Sequence, residues 1–477
     1  VKTRSSYGFH AARLKDTQIH GNLALVNNHT TGKARYWFRD WKVSGSKLQT
    51  HADHAWGPIL WTMHTLHHSK QGHVLKLTAQ MPPLGETESA FISLQYQENG
   101  QWTNGQSTEI DPLSRTATWR IPNWNANTDH RYRVVYGKDE YTGVIRRDPV
   151  EKDAVVVAGF TGNQDTGFPN LEITKNVGIQ DPDVLFFSGD QIYEGVGGYG
   201  IIRDGVERPE LTYLRKWYLL GWSFGDLMRD RVTICLPDDH DVYQGNIWGE
   251  GGAAMQGGNT STDGGYIQHP DFINAVHRTQ TSHHPDIPDP KPILQNITPF
   301  HGHMVYGRVS FALIADRMFK TGPQAVATWE GRADHLKDPA YDVTQLDKPE
   351  LELLGRRQEK FLEDWVQDWR GADFKSLLSQ TIFVNLANYH GAKQEFIYAD
   401  LDSNGWPQTP RNRALSILRK GYAFHYAGDQ HLPSVTRNGV DTWNDAGYAF
   451  CVPSIAAGYP RSWRPDQEGR SFQNQVI

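Results

Sequence analysis

Six apolar runs after Asp153 set the tightest limit on what this chain can become. DAVVVAGF, DVLFFSGD, RVTICLPDDHD, RVSFALIADR, QTIFVNLANYH and YAFHYAGDQH are almost continuously hydrophobic, and each closes on polar or ionisable residues. A strand with one wet face alternates, whereas a strand buried on both faces reads as an unbroken apolar run. Between several runs lie segments of helical character, PELTYLRKWYLLGWSFGDLMRD and KPELELLGRRQEKFLEDWVQDW. In the second, Leu351, Leu354, Phe361, Leu362 and Trp365 recur near a 3.6-residue period. Buried strands alternating with helices predict an α/β domain with a parallel or mixed sheet. Ligands of such domains bind beyond the carboxyl ends of the strands, and that is where the carboxylates and histidines of this sequence gather.

The first 145 residues carry no helical pattern. Short runs rich in β-branched and aromatic residues (GNLALVNN, ARYWFRDWKV, HVLKLTAQM, AFISLQYQ, TATWRIPNW, RYRVVYG) alternate with turn clusters. This spacing predicts antiparallel β-sandwich structure, and 16 Trp, 20 Tyr and 19 Phe suit it. The stretch GNLALVNNHTTGKARYWFRDWKVSG resembles the tail of a laminin-G or concanavalin-like sandwich, which implies a protein that extends upstream. The expected domains are therefore residues 1–54 as the end of such a sandwich, 55–148 as an immunoglobulin- or fibronectin-like sandwich, and 149–477 as the α/β domain.

The formal charge of −6 argues against a nucleic-acid scaffold as partner. No apolar run approaches the ~20 residues that cross a bilayer. Cys235 and Cys451 lie in apolar runs, as core thiols or as a pair. GVGGYG at 195–200 follows a strand, but IIRDGVERPE after it is a poor helix start, so a rim loop is favoured over a dinucleotide fingerprint.

The strand ends bring together Asp190 and Tyr193 in SGDQIYE, the PDDHDVYQGN cluster, Asp316 and Arg317, Asn388 and His390, and Asp429 and His431. One Asp-Asp-His is usually a turn or a cap. Five such endings in one domain are not, because converging carboxylates repel strongly where the dielectric is low. Protonation or bound cations must offset that charge. Mixed Asp, Asn, His and Tyr donors suit iron, manganese, zinc or calcium, and this many ligands could hold two ions. Arg317 could grip a phosphate bidentately or pair with a neighbouring carboxylate.

The order GD-x-x-Y, DDH[DE], a strand ending in D-R, and GD-x-H resembles the PhoD-like alkaline phosphatases, within the calcineurin-like metallophosphoesterases, over residues 150 to 460. LGRRQEKFLEDWVQDW is similar to the helix before that family's fifth strand. The resemblance implies a four-layer αββα core preceded by a β-sandwich. It also implies hydrolysis of phosphate mono- or diesters, glycan- or lipid-linked esters among them, by metal-activated water at a two-metal site. It implies an extracytoplasmic address, periplasmic or secreted, with no signal segment inside this chain. By the same resemblance Asp190 would bridge the metals, Tyr193 would be a phenolate ligand, and Asp239 and His431 would be further ligands. His240 would stabilise the transferring phosphoryl group or protonate the leaving oxygen. Asp429 would be a ligand or would orient a histidine, and His390 resembles the wider superfamily's histidine ligand. The family usually ends its first strand with an iron-ligating cysteine, whereas VVVAGFTGNQDTG has none. Asn163 or Asp165 is the expected substitute there, and the choice among Fe, Ca, Zn and Mn stays open. The rival reading is an extracellular glycan-binding protein on a catalytically altered metallophosphatase fold.

Overall fold

The computed structural model describes residues 58–464 except 86, 198 and 199, together with 42, 44 and 45. The chain divides into the units Val1–Trp56 and Gly57–Ile477, and the second is described here. The laminin-G-like reading of residues 1–54 falls almost entirely outside the described residues.

Two six-stranded sheets form the centre. In chain order the strands are β1 (Trp61–Ser69), β2 (Gly72–Gln80), β3 (Phe91–Glu98), β4 (Thr116–Pro122), β5 (His130–Tyr136), β6 (Asp139–Ile145), β7 (Val157–Phe160), β8 (Val184–Phe187) and β9 (Val232–Cys235). They continue with β10 (Gly302–Tyr306), β11 (Val309–Leu313), β12 (Phe374–Thr381), β13 (Phe424–Gly428), β14 (Ser434–Arg437) and β15 (Tyr448–Cys451). The first sheet runs β4-β2-β1-β9-β8-β7 and the second β10-β11-β12-β13-β15-β14. Strands β7, β8 and β9 are parallel, as are β11, β12, β13 and β15.

The pleat sorts the apolar runs into layers. In β8, Val184 and Phe186 face a core between the sheets that also holds Phe311, Leu313 and Leu378. Leu185 and Phe187 face the opposite way, toward helices α1 (Leu171–Gln180), α2 (Glu207–Met228) and α3 (Pro270–Thr281). On the far side, Ala312, Ile314 and Leu377 pack against α4 (Gly355–Trp365) and α5 (Gln408–Leu418). The result is the expected four layers, helix, sheet, sheet, helix.

The β-rich segment before Asp153 is not a separate pair of sheets. Strands β1, β2 and β4 continue the first sheet, with β1 parallel to β9 at His64 and Val232. Only β3, β5, β6 and two short strands form a sheet of their own. The expected boundary at 148/149 therefore cuts across a continuous sheet.

Two local expectations are corrected. The helical pattern over 348–369 yields a helix only from Gly355, because residue 352 exchanges hydrogen bonds with Thr321 and Gly355 turns at φ 70°. The fifth strand is Phe374–Thr381 rather than QTIFVNLANYH, so Asn388 and His390 lie well past its end. Both cysteines are buried free thiols. Among the described residues no helix is long and apolar enough to cross a membrane.

Gly221 of α2 lies against the Trp61 indole, where a Cβ would overlap the ring. Trp61 is fully buried and meets Trp217 edge-on at 5.7 Å. Helix propensity alone favours Gly221→Ala by about 1 kcal/mol, whereas overpacking costs about 1–3 kcal/mol. The expected outcome is net destabilisation, read as a lower urea midpoint with an unchanged slope.

Candidate metal centre

The loops that leave β8, β9, β11 and β13 converge at one end of the two sheets. Their approach is close enough to require glycine at Gly189, φ 135°, where a Cβ would lie 2.6 Å from Asp238 Cβ. Asp190 and Asp429 follow their glycines in the left-handed region, at φ 56° and 63°. Asp is one of the few non-glycine residues that enter that region readily.

Asp241 knits the first two loops together. Its carboxylate accepts from the backbone N–H of Asp190 (3.0 Å), Gln191 (3.1 Å) and Asp238 (2.9 Å), and from Gln280 Nε2 (3.1 Å). Asp316 does the same on the second sheet, accepting from the amides of Gln380 (2.8 Å) and Thr381 (3.0 Å). Gln380 Nε2 then donates to Pro237 O at 2.9 Å, which joins the two sheets directly behind Asp238.

Arg317 sits in the middle, 2% exposed. Its Nε faces Asp238 at 3.1 Å, one terminal nitrogen meets Asp402 at 2.6 Å and the other Asp429 at 3.2 Å. Only the nitrogen on Asp402 is hydrogen-bonded, while Nε and the other terminal nitrogen make ion pairs without a hydrogen bond, so the carboxylate pairing expected from the sequence is present.

Around it stand groups that could ligate a metal ion. Asp190, Asp239 and His240 offer ligand atoms within 4.8 Å of one another, and so do Asp238, Asp239 and Asp429. Asp190 Oδ1, Asp238 Oδ2 and Asp239 Oδ1 are buried with no hydrogen-bond partner. An unpartnered buried carboxylate oxygen is costly, and three together make a donor set that fits hard cations. Burial pushes Asp238 and Asp239 well above the usual carboxylate range, and their neighbouring carboxylates add to it. Burial also acts upward on Asp190, yet His240, His431 and Tyr193 hold it at about 2.

Tyr193 donates its hydroxyl to Asp190 Oδ2 at 2.7 Å and lies 3.1 Å from His431 Nε2. His431 Nδ1 donates to Tyr459 O at 2.9 Å. That bond places a proton on Nδ1 and turns Nε2 toward Tyr193 and Asp190, 3.9 Å from Asp190 Oδ2, the ring nitrogen a ligating histidine would offer. His240 Nδ1 bonds Glu194 Oε2 at 2.6 Å. Burial acts against its charge, but Asp190, Asp239 and Glu194 raise its pKa well above the ordinary imidazole value. Its ring lies 4.1 Å from that of Tyr193, tilted by 34°.

The structure therefore brings Asp190, Tyr193, Asp239, His240, Arg317, Asp429 and His431 together. It does not bring in two others. His390 belongs to neither ligand grouping and packs on His335, ring centroids 4.0 Å apart, with Nδ1 on the Tyr459 hydroxyl. Asn163 donates its amide to Asp190 O at 2.8 Å, but its side-chain oxygen accepts from Asn170 at 3.1 Å. Asp165, the alternative to Asn163, pairs with Arg215 at 3.1 Å. Neither cysteine joins the groupings. Glu194 and Asp402 had no role in the sequence reading. Glu194 stands inside SGDQIYE and could have been found there, whereas Asp402 follows no strand of the core and carries no local signal.

A family model described as PhoD-like phosphatase matches residues 157–476. Comparison with curated proteins finds no match. Among solved structures, one described as the structure of PhoD is similar at a TM-score of 0.61 and 17% identity, covering 86% of this chain and 79% of that one. A β-glucuronidase from Parabacteroides merdae aligns at a TM-score of 0.24 and 8% identity, over 80% of this chain and 43% of that one. A laminaripentaose-producing β-1,3-glucanase from Paenibacillus barengoltzii aligns at 0.13 and 11%, over 21% and 27%. These last two scores are too low to carry any argument.

Asp241→Ala should orphan three backbone amides at once, a loss of about 3 kcal/mol or more. Chemical denaturation would read it. A change within about 0.5 kcal/mol, the range of ordinary surface substitutions, would remove Asp241 from this role.

Proposed function

This chain belongs to the PhoD-like phosphatase family and is a metal-dependent phosphohydrolase acting on phosphate esters; on that premise we propose that it works through a two-metal centre. The observation that supports this reading is the convergence of three buried, unpartnered carboxylate oxygens, on Asp190, Asp238 and Asp239, beside His240 and His431. Asp239 is the carboxylate common to both groupings; by the family resemblance Asp190 would serve both ions, with Tyr193, Asp239, Asp429 and His431 completing the donors. The donors are oxygens and imidazole nitrogens, which suits calcium, manganese, zinc or iron without a thiolate. When bound, the ions supply Lewis acidity that activates water and offsets the charge of the ester.

The protein's own groups divide the remaining work. Glu194 holds His240 by Nδ1 and favours its charged form, so the other ring nitrogen is the proton donor for the leaving oxygen, or the cation that meets the phosphoryl group. Arg317 orders Asp238, Asp402 and Asp429 rather than touching substrate. Cations in the centre would relieve the repulsion that raises Asp238 and Asp239. The phosphate monoester or diester is proposed to be extracytoplasmic, in keeping with the family.

Metal analysis of the purified protein should find about two ions per chain. His240→Ala should lower turnover of a nitrophenyl phosphate ester by about 10²–10⁴-fold while metal content stays. Loss of metal in that variant would make His240 a ligand, and unchanged turnover would remove it from the reaction. A folded protein that cannot be loaded with any divalent or trivalent ion would overturn the two-metal reading.

A further inference from the structure

A cleft of about 810 Å³ opens between the end of β1, the edge strand β10 and helix α4. It shares no lining residue with the carboxylate centre. Its volume falls in the range of sites for metabolite-sized ligands.

Its inner wall contains a histidine with nothing to bond. His301 is 0% exposed, and both of its ring nitrogens lack a hydrogen-bond partner. Burial holds it neutral, with a pKa of about 4, so it presents one N–H donor and one lone pair. Leaving such a group unsatisfied costs about 1–3 kcal/mol. A second imidazole adds a donor: His67 Nδ1 accepts the Val305 amide at 2.9 Å, which leaves the proton of the neutral ring on Nε2. His303 meets His67 edge-on at 5.0 Å, and Phe361 packs against His301 at 5.7 Å. These imidazoles do not form a metal site, because among the described residues the groupings of ligand atoms are confined to the carboxylate centre.

Among the described residues the rim carries one unpaired charge. Seven Lys or Arg side chains line the cleft against four Asp, and six of the seven are paired with carboxylates. Lys70, on the turn between β1 and β2, is exposed and makes no ion pair among the described residues.

We propose that this cleft is a second ligand site, for a small organic anion. The acidic group takes the N–H donor of His67 under the field of Lys70 and, once the second ring turns out of the wall, that of His301, and an apolar body lies on Phe361.

Two dyes of the same aromatic body separate the possibilities on the full chain. 8-Anilinonaphthalene-1-sulfonate carries the anion, and N-phenyl-1-naphthylamine lacks it. The sulfonate should saturate at one per chain and bind about tenfold or more tightly than the neutral dye, as one charge-assisted contact implies. Lys70→Glu and His301→Phe should each weaken the sulfonate by about fivefold or more, with little effect on the neutral dye. Lys70 is exposed, so its variant keeps the test decisive if His301→Phe does not fold. Equal affinity for the two dyes, sulfonate binding indifferent to Lys70→Glu, or no binding at all would each overturn the site, the last leaving water as the partner of His301.

Discussion

Buried negative charge, gathered where two sheets meet, is the constraint around which this molecule is arranged. Asp190, Asp238, Asp239, Asp402 and Asp429 are all nearly inaccessible to solvent, and carboxylates so close together oppose one another strongly in a low-dielectric interior. Arg317 compensates part of that charge through three ion pairs, and His240 another part. What remains is located on the unpartnered oxygens, at the place where a cation would be most strongly attracted. The two clamps, Asp241 on one sheet and Asp316 on the other, matter because they hold the loops in place against this repulsion.

Much of this could be read in the sequence because burial leaves a compositional trace. Runs such as DVLFFSGD and RVTICLPDDHD are apolar on both faces, as strands between helices and a second sheet must be, and their polar ends mark where the loops begin. Reading the ends together singled out Asp190, Tyr193, Asp239, Asp429 and His431 as candidates, and the fold gathers them in one place. QTIFVNLANYH misled for the same reason: Ile382 and Phe383 are buried beyond the strand by loop packing, so the apolar signal outlasts the hydrogen-bonded ladder. That displacement carried His390 into the expected ligand set. Asp402 was illegible because its position depends on Arg317, some 85 residues away in the chain. Whether Arg317 would meet phosphate or carboxylate was equally a question of tertiary neighbours.

The fold class was legible, but the seam between its parts was not. Antiparallel patterning in β1, β2 and β4 says sandwich, and nothing in a strand's own sequence says which neighbour its free edge will take. Here β1 takes β9. Trp61 also belongs to the helix-side core with Trp217 and Phe224, so the sandwich and the α/β layers share side chains as well as backbone hydrogen bonds.

That shared sheet has a consequence for how such a chain can be cut and recombined. A β-sandwich joined by a linker can be deleted or transplanted as a module. This one meets β9, the strand that delivers Asp238 and Asp239, at His64 and Val232, and it sends Trp61 and Met63 into the helix-side core. Without β1 that core would lose both side chains, and Trp217 and Tyr218 would lose the indole they pack against. The amino-terminal strands are therefore better regarded as the catalytic sheet's outer wall than as an appendage, and any attempt to isolate a minimal enzyme has to begin upstream of Trp61.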